Sequence, residues 1–296
     1  MRLSKLMGLV DLEDVILVST IMDYLKKGMK VALCEVVHKE GSAPRDVGAK
    51  MVVGEDGFKV GTIGGGSFES ELVSDSLKAI AEGKSKLVKY SFTGKPVEGA
   101  KDTGLMCGGV LWVFIDVFMP TQRALVIGLG NVGRPLSYIL KLMGFEVHAL
   151  DTDKEAEKIA RDLGLSSIFV GAIEEIATRI RETVRRGDHV FVVYGDVHAD
   201  YVFVKESLKT EASTIWLLGS RRKVTEFVRK LILEGFSSED IVKRLRAPIG
   251  IDIGADTPEE VAISIAAELV VLRRGANVKS LNIVPQLVAE LQRSNT

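Results

Sequence analysis

The sequence predicts an α/β chain in two parts: a mixed α+β half over residues 1–119, then a doubly wound parallel sheet with C-terminal helices over residues 123–296. Three observations predict it. From Ala124 onward, short apolar runs alternate with stretches of helical period, the rhythm of βαβ units. The first of these runs ends in Gly128-Leu129-Gly130-Asn131-Val132-Gly133, a glycine turn opening a helix, which makes this half Rossmann-like. Before Met119-Pro120-Thr121-Gln122, where proline interrupts the pattern, strands and helices follow one another without that rhythm.

In the first half, residues 12–27 carry apolar side chains at helical spacing and stop at Gly28, a helix-ending residue. Residues 30–38 read as a strand and 39–48 as a loop. Strands over 49–53 and 58–62 flank Glu55-Asp56-Gly57, whose Asp-Gly supplies a hairpin turn. A helix over 67–82 follows three glycines; then come a strand over 86–92, a polar loop over 93–106 and an apolar strand over 109–118. In the second half, strands are expected at 124–127, 146–150, 167–170, 189–193 and 214–218. Helices over 132–143, 154–163, 173–185 and 199–208 lie between them. Asp256 or Thr257 caps a further helix: Pro258 suits its first turn, Glu259 and Glu260 oppose the dipole, and it runs to about Arg273. A last short helix is expected over 285–292.

The 296 residues are 46% hydrophobic and 27% charged, with a net charge of −1. A chain this apolar buries a core, which excludes disorder as its dominant state. The charge balance gives no electrostatic reason for binding nucleic acid or an anionic membrane. The best membrane-span candidate, residues 110–119, is short and broken by Asp116. Cys34 and Cys107 are too few for a disulfide scaffold, no CxxC pair points to zinc, and the first twelve residues lack the apolar run of a signal peptide. A cytoplasmic location is expected.

The clearest chemical signal is the glycine turn. Gly128 permits the turn, Gly130 lets the backbone approach a pyrophosphate, and Gly133 allows tight helix–strand packing. The helix N-terminus, Asn131 and Val132 included, offers free N–H groups to phosphate. Asp151 ends the next strand, about twenty residues on, where an acid accepts ribose hydroxyls and favours a free 2′-hydroxyl. A Rossmann-shaped half without a ligand fits the same pattern.

Other spots are less decided. Arg45, in Gly41-Ser42-Ala43-Pro44-Arg45, is either a planar fork for phosphate or carboxylate, or an exposed arginine on a tight turn. Gly64, Gly65 and Gly66 precede a helix and could form an anion-binding nest, without the Gly-Lys-Ser/Thr of a P-loop. Glu69 either meets a ligand donor or, the reading its position favours, satisfies the helix dipole. Cys107, in Met106-Cys107-Gly108-Gly109, is either an accessible thiol for a soft metal or a small buried residue, and spacing alone favours the latter. Cys34 reads as core. His38, His148, His189 and His198 form no ligand spacing, and His148 and His189 read as structural. Asp196, His198 and Asp200 follow the fourth strand of the second half, where such sheets bind ligands, though loop polarity explains them equally well. Ser220 could cap the next helix while Arg221 or Arg222 faces a phosphate.

Together these blocks resemble the XdhC/CoxI family of xanthine dehydrogenase accessory proteins. The resemblance rests on GSAPRDVGAKM (41–51), GTIGGGSFES (61–70), MCGG (106–109), VIGLGNVGRP (126–135), LLGSRRK (217–223) and APIGIDIGADTPEEVAISIAAE (247–268), in order across nearly the whole chain. It implies a carrier of molybdenum cofactor, a molybdopterin in plain or dinucleotide form, more than a turnover enzyme. Such a carrier supports sulfuration of the cofactor and its insertion into a molybdenum hydroxylase such as xanthine dehydrogenase. The implied partners are that hydroxylase and a cofactor sulfurase. Arg45, Gly64, Gly65 and Gly66 would cradle phosphate or pterin, and Cys107 would approach or protect the molybdenum. Two departures stand out: many members carry Thr-His-Asp where this chain has Tyr194-Gly195-Asp196, and some carry Cys at Ser67. Competing readings are an NAD-dependent oxidoreductase, with NAD in the second half, and a nucleotide-sensing regulator. Against the oxidoreductase, no His or Tyr-Lys pair is placed for hydride-transfer acid–base work. The apolar terminal segments favour a homodimer.

Overall fold

The computed structural model describes residues 12–279 and 281–284, so the helix expected over 285–292 lies outside the described residues. The first half runs α1 (Leu12–Lys26), β1 (Val31–Glu40), β2 (Lys50–Gly54), β3 (Lys59–Gly61), α2 (Gly66–Glu82), β4 (Lys86–Ser91), β5 (Lys101–Asp102) and β6 (Val110–Phe118). The strands form one sheet in the order β3-β2-β1-β6-β4-β5. β1 pairs antiparallel with β2 and β6, placing Cys34 between Met51 and Ile115. Strand alternation sends Ala32, Cys34 and Val36 of β1 and Leu111, Val113 and Ile115 of β6 to one face, which α2 covers with Phe68, Leu72 and Ala79. On the other face, Leu17, Ile21 and Tyr24 of α1 cover Val31 and Val52. The expected loop over 93–106 contains β5, held parallel to Tyr90 and Ser91. Two polar residues carry no strand pattern of their own.

The second half runs β7 (Arg123–Ile127), α3 (Gly133–Leu142), β8 (Glu146–Asp151), α4 (Glu155–Leu163), β9 (Ser167–Val170), α5 (Ile173–Thr183) and β10 (His189–Val192). It continues through α6 (Val197–Leu208), β11 (Thr214–Leu217), α7 (Arg221–Leu233), α8 (Ser238–Arg244), β12 (Leu245–Arg246) and α9 (Pro258–Arg274). The sheet order is β12-β11-β10-β7-β8-β9, with every pair parallel. Read from β9 and numbered from β7, that is 3-2-1-4-5-6, the doubly wound dinucleotide-binding order. The strands are apolar throughout because helices cover both faces. Leu136, Ala160 and Ile265 of α3, α4 and α9 lie on one face. Ile180, Phe203 and Phe227 of α5, α6 and α7 lie on the other. Thr257 caps α9: its hydroxyl accepts the Glu260 N–H at 3.2 Å and Glu260 accepts the Thr257 N–H at 3.0 Å. The glycine-punctuated stretch over 247–256 stays with this half, where Ile249 N–H donates to Leu217 O at 3.2 Å and Gly250 N–H to Glu268 at 2.7 Å.

The halves meet at the amino ends of the second sheet. Arg186 reaches Glu55 at 3.3 Å. Gly28 lies so close that a Cβ there would sit 2.4 Å from the Arg186 carbonyl oxygen. A cleft of about 990 Å³ opens beside this contact, lined by Lys26, Lys30, Arg123, Glu146 and Arg273 among others. No described helix is long and apolar enough to cross a membrane.

Candidate functional site

Three loops of the first half converge at one end of its sheet. Gly41 and Gly109 leave room for the contact: a Cβ on Gly41 would stand 2.9 Å from the Gly108 oxygen, and one on Gly109 2.3 Å from the Ser42 oxygen. Pro44 lies on the triple glycine, 2.8 Å from where a Gly64 Cβ would be. Ser67 donates to the Thr103 carbonyl at 3.2 Å. The loop carrying Cys107 is clamped to Phe92 by two backbone bonds of 2.8 Å, through Gly108 N–H and Gly109 O. The motifs read separately in the sequence are therefore one surface.

Gly64, Gly65 and Gly66 have φ of 143°, 75° and 64°, conformations that side-chain-bearing residues avoid. Glu69 lies beneath this turn, 5% exposed. Its carboxylate accepts from Gly65 N–H at 2.9 Å, Ile63 N–H at 3.2 Å, the Thr62 hydroxyl and the Lys59 ammonium. Burial pushes the Glu69 pKa up, but these donors outweigh burial and hold it at about 2. Glu69 thus shapes the turn from within, and both its oxygens are engaged by the chain itself. No side chain caps α2, and the N–H groups of Gly66 and Ser67 have no protein acceptor among the described residues. Cys107 is exposed and Cys34 buried, its thiol pushed up to about 12 by burial despite the Ser76 hydrogen bond. Arg45 is exposed and lines a polar cavity of about 410 Å³ with Glu13, Asp14 and Lys50.

A pH dependence follows from Glu69. Its pKa in the folded chain lies below the ordinary 4.5, so its stabilisation is present above pH 4.5 and lost as pH falls toward 2. The loss should be on the order of 2–3 kcal/mol. Thermal melts of the wild type and Glu69→Gln should differ near neutral pH and converge as pH falls through that window. A constant gap would refute the assignment.

The glycine turn of the second half sits where β7 and β10 diverge, the switch point of the sheet. Gly133 is fixed by contact: a Cβ there would lie 1.8 Å from the Gly128 oxygen. Gly128 has φ 99° and abuts Tyr194 Cα. Gly130 has nothing within 4 Å of its Cβ position, so its backbone is open to approach. No side chain caps α3, and the N–H groups of Gly130, Asn131, Val132 and Gly133 donate to no protein acceptor among the described residues. Asp151 is 6% exposed; one oxygen accepts the Leu129 N–H at 2.6 Å and the other the Asp153 N–H at 2.9 Å. The carboxylate pins the glycine turn to the end of β8. Tyr194, not singled out as a ligand in the sequence, also stands at this turn. Its hydroxyl meets that of Thr152 at 2.8 Å, crossing from the end of β10 to the end of β8 past β7.

The other expected residues lie at the starts of α6 and α7 or on strands. Asp196 caps α6, accepting the Ala199 N–H at 2.8 Å, and Ser220 caps α7, accepting the Lys223 N–H at 3.3 Å. Arg221 is exposed in the first turn of α7, and His198 is exposed. Asp200 is fully buried against the Lys223 ammonium, which also donates to Leu218 O at 3.0 Å. Burial pushes the Asp200 carboxyl above its ordinary range, more than Lys223 pulls it down. His148 and His189 sit on strands, bonded to Ser167 at 2.7 Å and Thr214 at 2.6 Å. Among the described residues no group of three or more His, Cys, Asp or Glu is arranged to hold a metal ion.

Residues 124–269 match the XdhC Rossmann domain, and residues 24–91 match the XdhC and CoxI family. The chain belongs to the XdhC/CoxI family. The match of the first half takes in Arg45 and the triple glycine and ends before Cys107. This XdhC/CoxI chain is 35% identical over 246 residues to the uncharacterized protein YqeB of Escherichia coli (strain K12), covering 83% of the chain but 44% of YqeB. It therefore spans less than half the length of that relative. It is 24% identical over 285 residues to the molybdenum cofactor insertion chaperone PaoD of the same organism, covering 85% of the chain and 86% of PaoD. A solved chain described as a xanthine dehydrogenase from Bacillus halodurans aligns with 89% of it, and with 98% of that chain's own length, at 20% identity and a TM-score of 0.45.

Proposed function

We propose that this XdhC/CoxI chain binds molybdenum cofactor as cargo and hands it to a molybdenum hydroxylase, xanthine dehydrogenase being the client the family name points to. The observation that carries this reading is the convergence of the three loops around Cys107. An exposed thiol is a soft donor suited to a sulfur-coordinated metal. The uncapped start of α2 beside the triple glycine offers N–H groups to a phosphate. Arg45 adds a planar cation on the loop that contacts both. PaoD, a molybdenum cofactor insertion chaperone, supports the same reading. The chain's part is to hold, shield and release. A cofactor sulfurase as second partner, a homodimer and a cytoplasmic location belong to the same proposal. Against the oxidoreductase reading, Asp196 caps α6 and Asp200 is paired with Lys223, so both acids that follow β10 are engaged within the chain.

The test is cargo content. Expressed anaerobically in a molybdate-fed host, the purified chain should carry near-stoichiometric molybdenum and give oxidised-pterin fluorescence in the same ratio. A chain free of both, from a host that makes the cofactor, overturns the reading.

A further inference from the structure

The cleft between the halves, about 990 Å³, has the volume of a small-molecule site. Six of its lining residues are Lys or Arg and four are Asp or Glu, an excess of two positive charges in a chain whose net charge is −1. Three of the four acids are already engaged. Glu55 meets Arg186 at 3.3 Å, and Arg123 meets Asp188 at 2.9 Å and Glu146 at 3.7 Å. Lys26, Lys30, Arg185 and Arg273 line the same cleft and have no carboxylate partner among the described residues. The helix dipole accounts for two of them, since Lys26 and Arg273 stand in the last turns of α1 and α9. Lys30, half-buried ahead of β1, and Arg185, beyond the end of α5, stand in no helix. Arg273 lies over the Phe145 ring at 5.2 Å, which steadies its planar fork. Burial and then Arg274 hold its pKa below the ordinary arginine range, and no acid offsets them. The wall has an apolar side as well: Met22 and Met119, each 48% exposed, line it with Leu25.

We propose that this cleft binds a small phosphate monoester, a dianion carried on an apolar or aromatic body, and grips it from both halves at once. Two negative charges match the excess of two positive ones, and a cleft lined by one sign of charge concentrates the opposite sign. Arg185 and Arg273 of the second half and Lys30 of the first supply charge-assisted donors to the phosphate oxygens. Met22, Leu25 and Met119 take the body. The site is distinct from the loops around Cys107. Val31 pairs with Phe118 at the end of the first sheet next to the cleft, whereas those loops leave from the end where Glu40 pairs with Val110. The inference therefore does not rest on the cargo reading.

The experiment titrates phenyl phosphate into the full chain by calorimetry at pH 8, where the monoester carries both charges, its second pKa being about 6. One molecule should bind per chain. Inorganic phosphate, which lacks the body, and benzoate, which keeps the ring but has one charge, should each bind at least tenfold more weakly. Arg273→Gln and Lys30→Met remove one cation from each half. Each should weaken phenyl phosphate at least fivefold, and the two together at least twentyfold, with melting temperatures close to the wild type. Arg229→Gln, an exposed cation lost from α7 away from the cleft, should leave the affinity unchanged.

A wild type that ignores millimolar phenyl phosphate would overturn the proposal. So would binding that survives in the doubly substituted chain, which would place the site elsewhere, or binding weakened equally by Arg229→Gln, which would reduce it to net charge. Inorganic phosphate or benzoate bound as tightly as the monoester would overturn the assigned ligand class. If either single variant melts well below the wild type, Arg185→Gln replaces it, being exposed and outside every helix and strand, and the same fivefold loss is required of it.

Discussion

Cys107→Ala should reduce molybdenum per chain to less than about a tenth of the wild-type value and leave the melting temperature unchanged. The thiol is exposed, so truncating it removes no buried contact, and an exposed substitution of this kind costs within about 0.5 kcal/mol. The loop itself is held by Gly108 and Gly109 against Phe92 and by the approach of Gly41 and Ser42, none of which involves the sulfur. A loss of cargo without a loss of fold therefore isolates the chemistry of the thiol. Cys107→Ser tests the same point at constant volume: a hydroxyl is a poorer ligand for a soft metal and should not rescue. Full molybdenum content in either variant, measured by elemental analysis after anaerobic purification, would remove Cys107 from the site.

Asp200→Ala should destabilise the second half by about 3–5 kcal/mol, because it strands a charge. The Asp200 side chain is fully buried and that of Lys223 is 12% exposed. With the carboxylate gone, the ammonium keeps, among the described residues, the Leu218 carbonyl and the face of Phe227, 5.6 Å away. The Gly195 N–H, which donates to Asp200 at 3.4 Å, loses its acceptor as well. Removing both charges with Asp200→Leu and Lys223→Met should recover most of the loss, since a buried pair is costly mainly when half of it remains. Denaturant unfolding of the single and double variants checks this. An Asp200→Ala chain as stable as the wild type would show that the pair does not hold α6 to α7.

The helix caps show why residue type alone leaves the roles of Asp196 and Ser220 open in the sequence. Asp196 and Ser220 stand at helix starts after strand ends, the places where a doubly wound sheet also binds anions or donors. A capping side chain and a ligand-binding side chain are both short oxygen acceptors at the same spot, so residue type does not separate them. Glu69 and Asp151 are harder still. Each answers to backbone N–H groups of a glycine turn, and the pairing is visible only once the turn is folded. Sequence spacing favoured a buried Cys107, whereas the folded loop leaves it exposed because its flanking glycines, not its side chain, make the contact.

What the sequence determined by itself is whatever depends on near neighbours. Apolar periodicity marked β7 to β11 and the helices between them, while Thr257, Pro258 and Glu260 marked the start of α9. Short elements escaped it: β5, α8 and β12 are two, seven and two residues long and carry too little pattern to stand out. The order β3-β2-β1-β6-β4-β5 and the meeting of the loops at Gly41, Gly64 and Gly109 were decided only by the tertiary structure. The reason is physical: strand pairing and loop contact join residues tens of positions apart, and no local propensity specifies which distant backbone group will fill the space a glycine leaves.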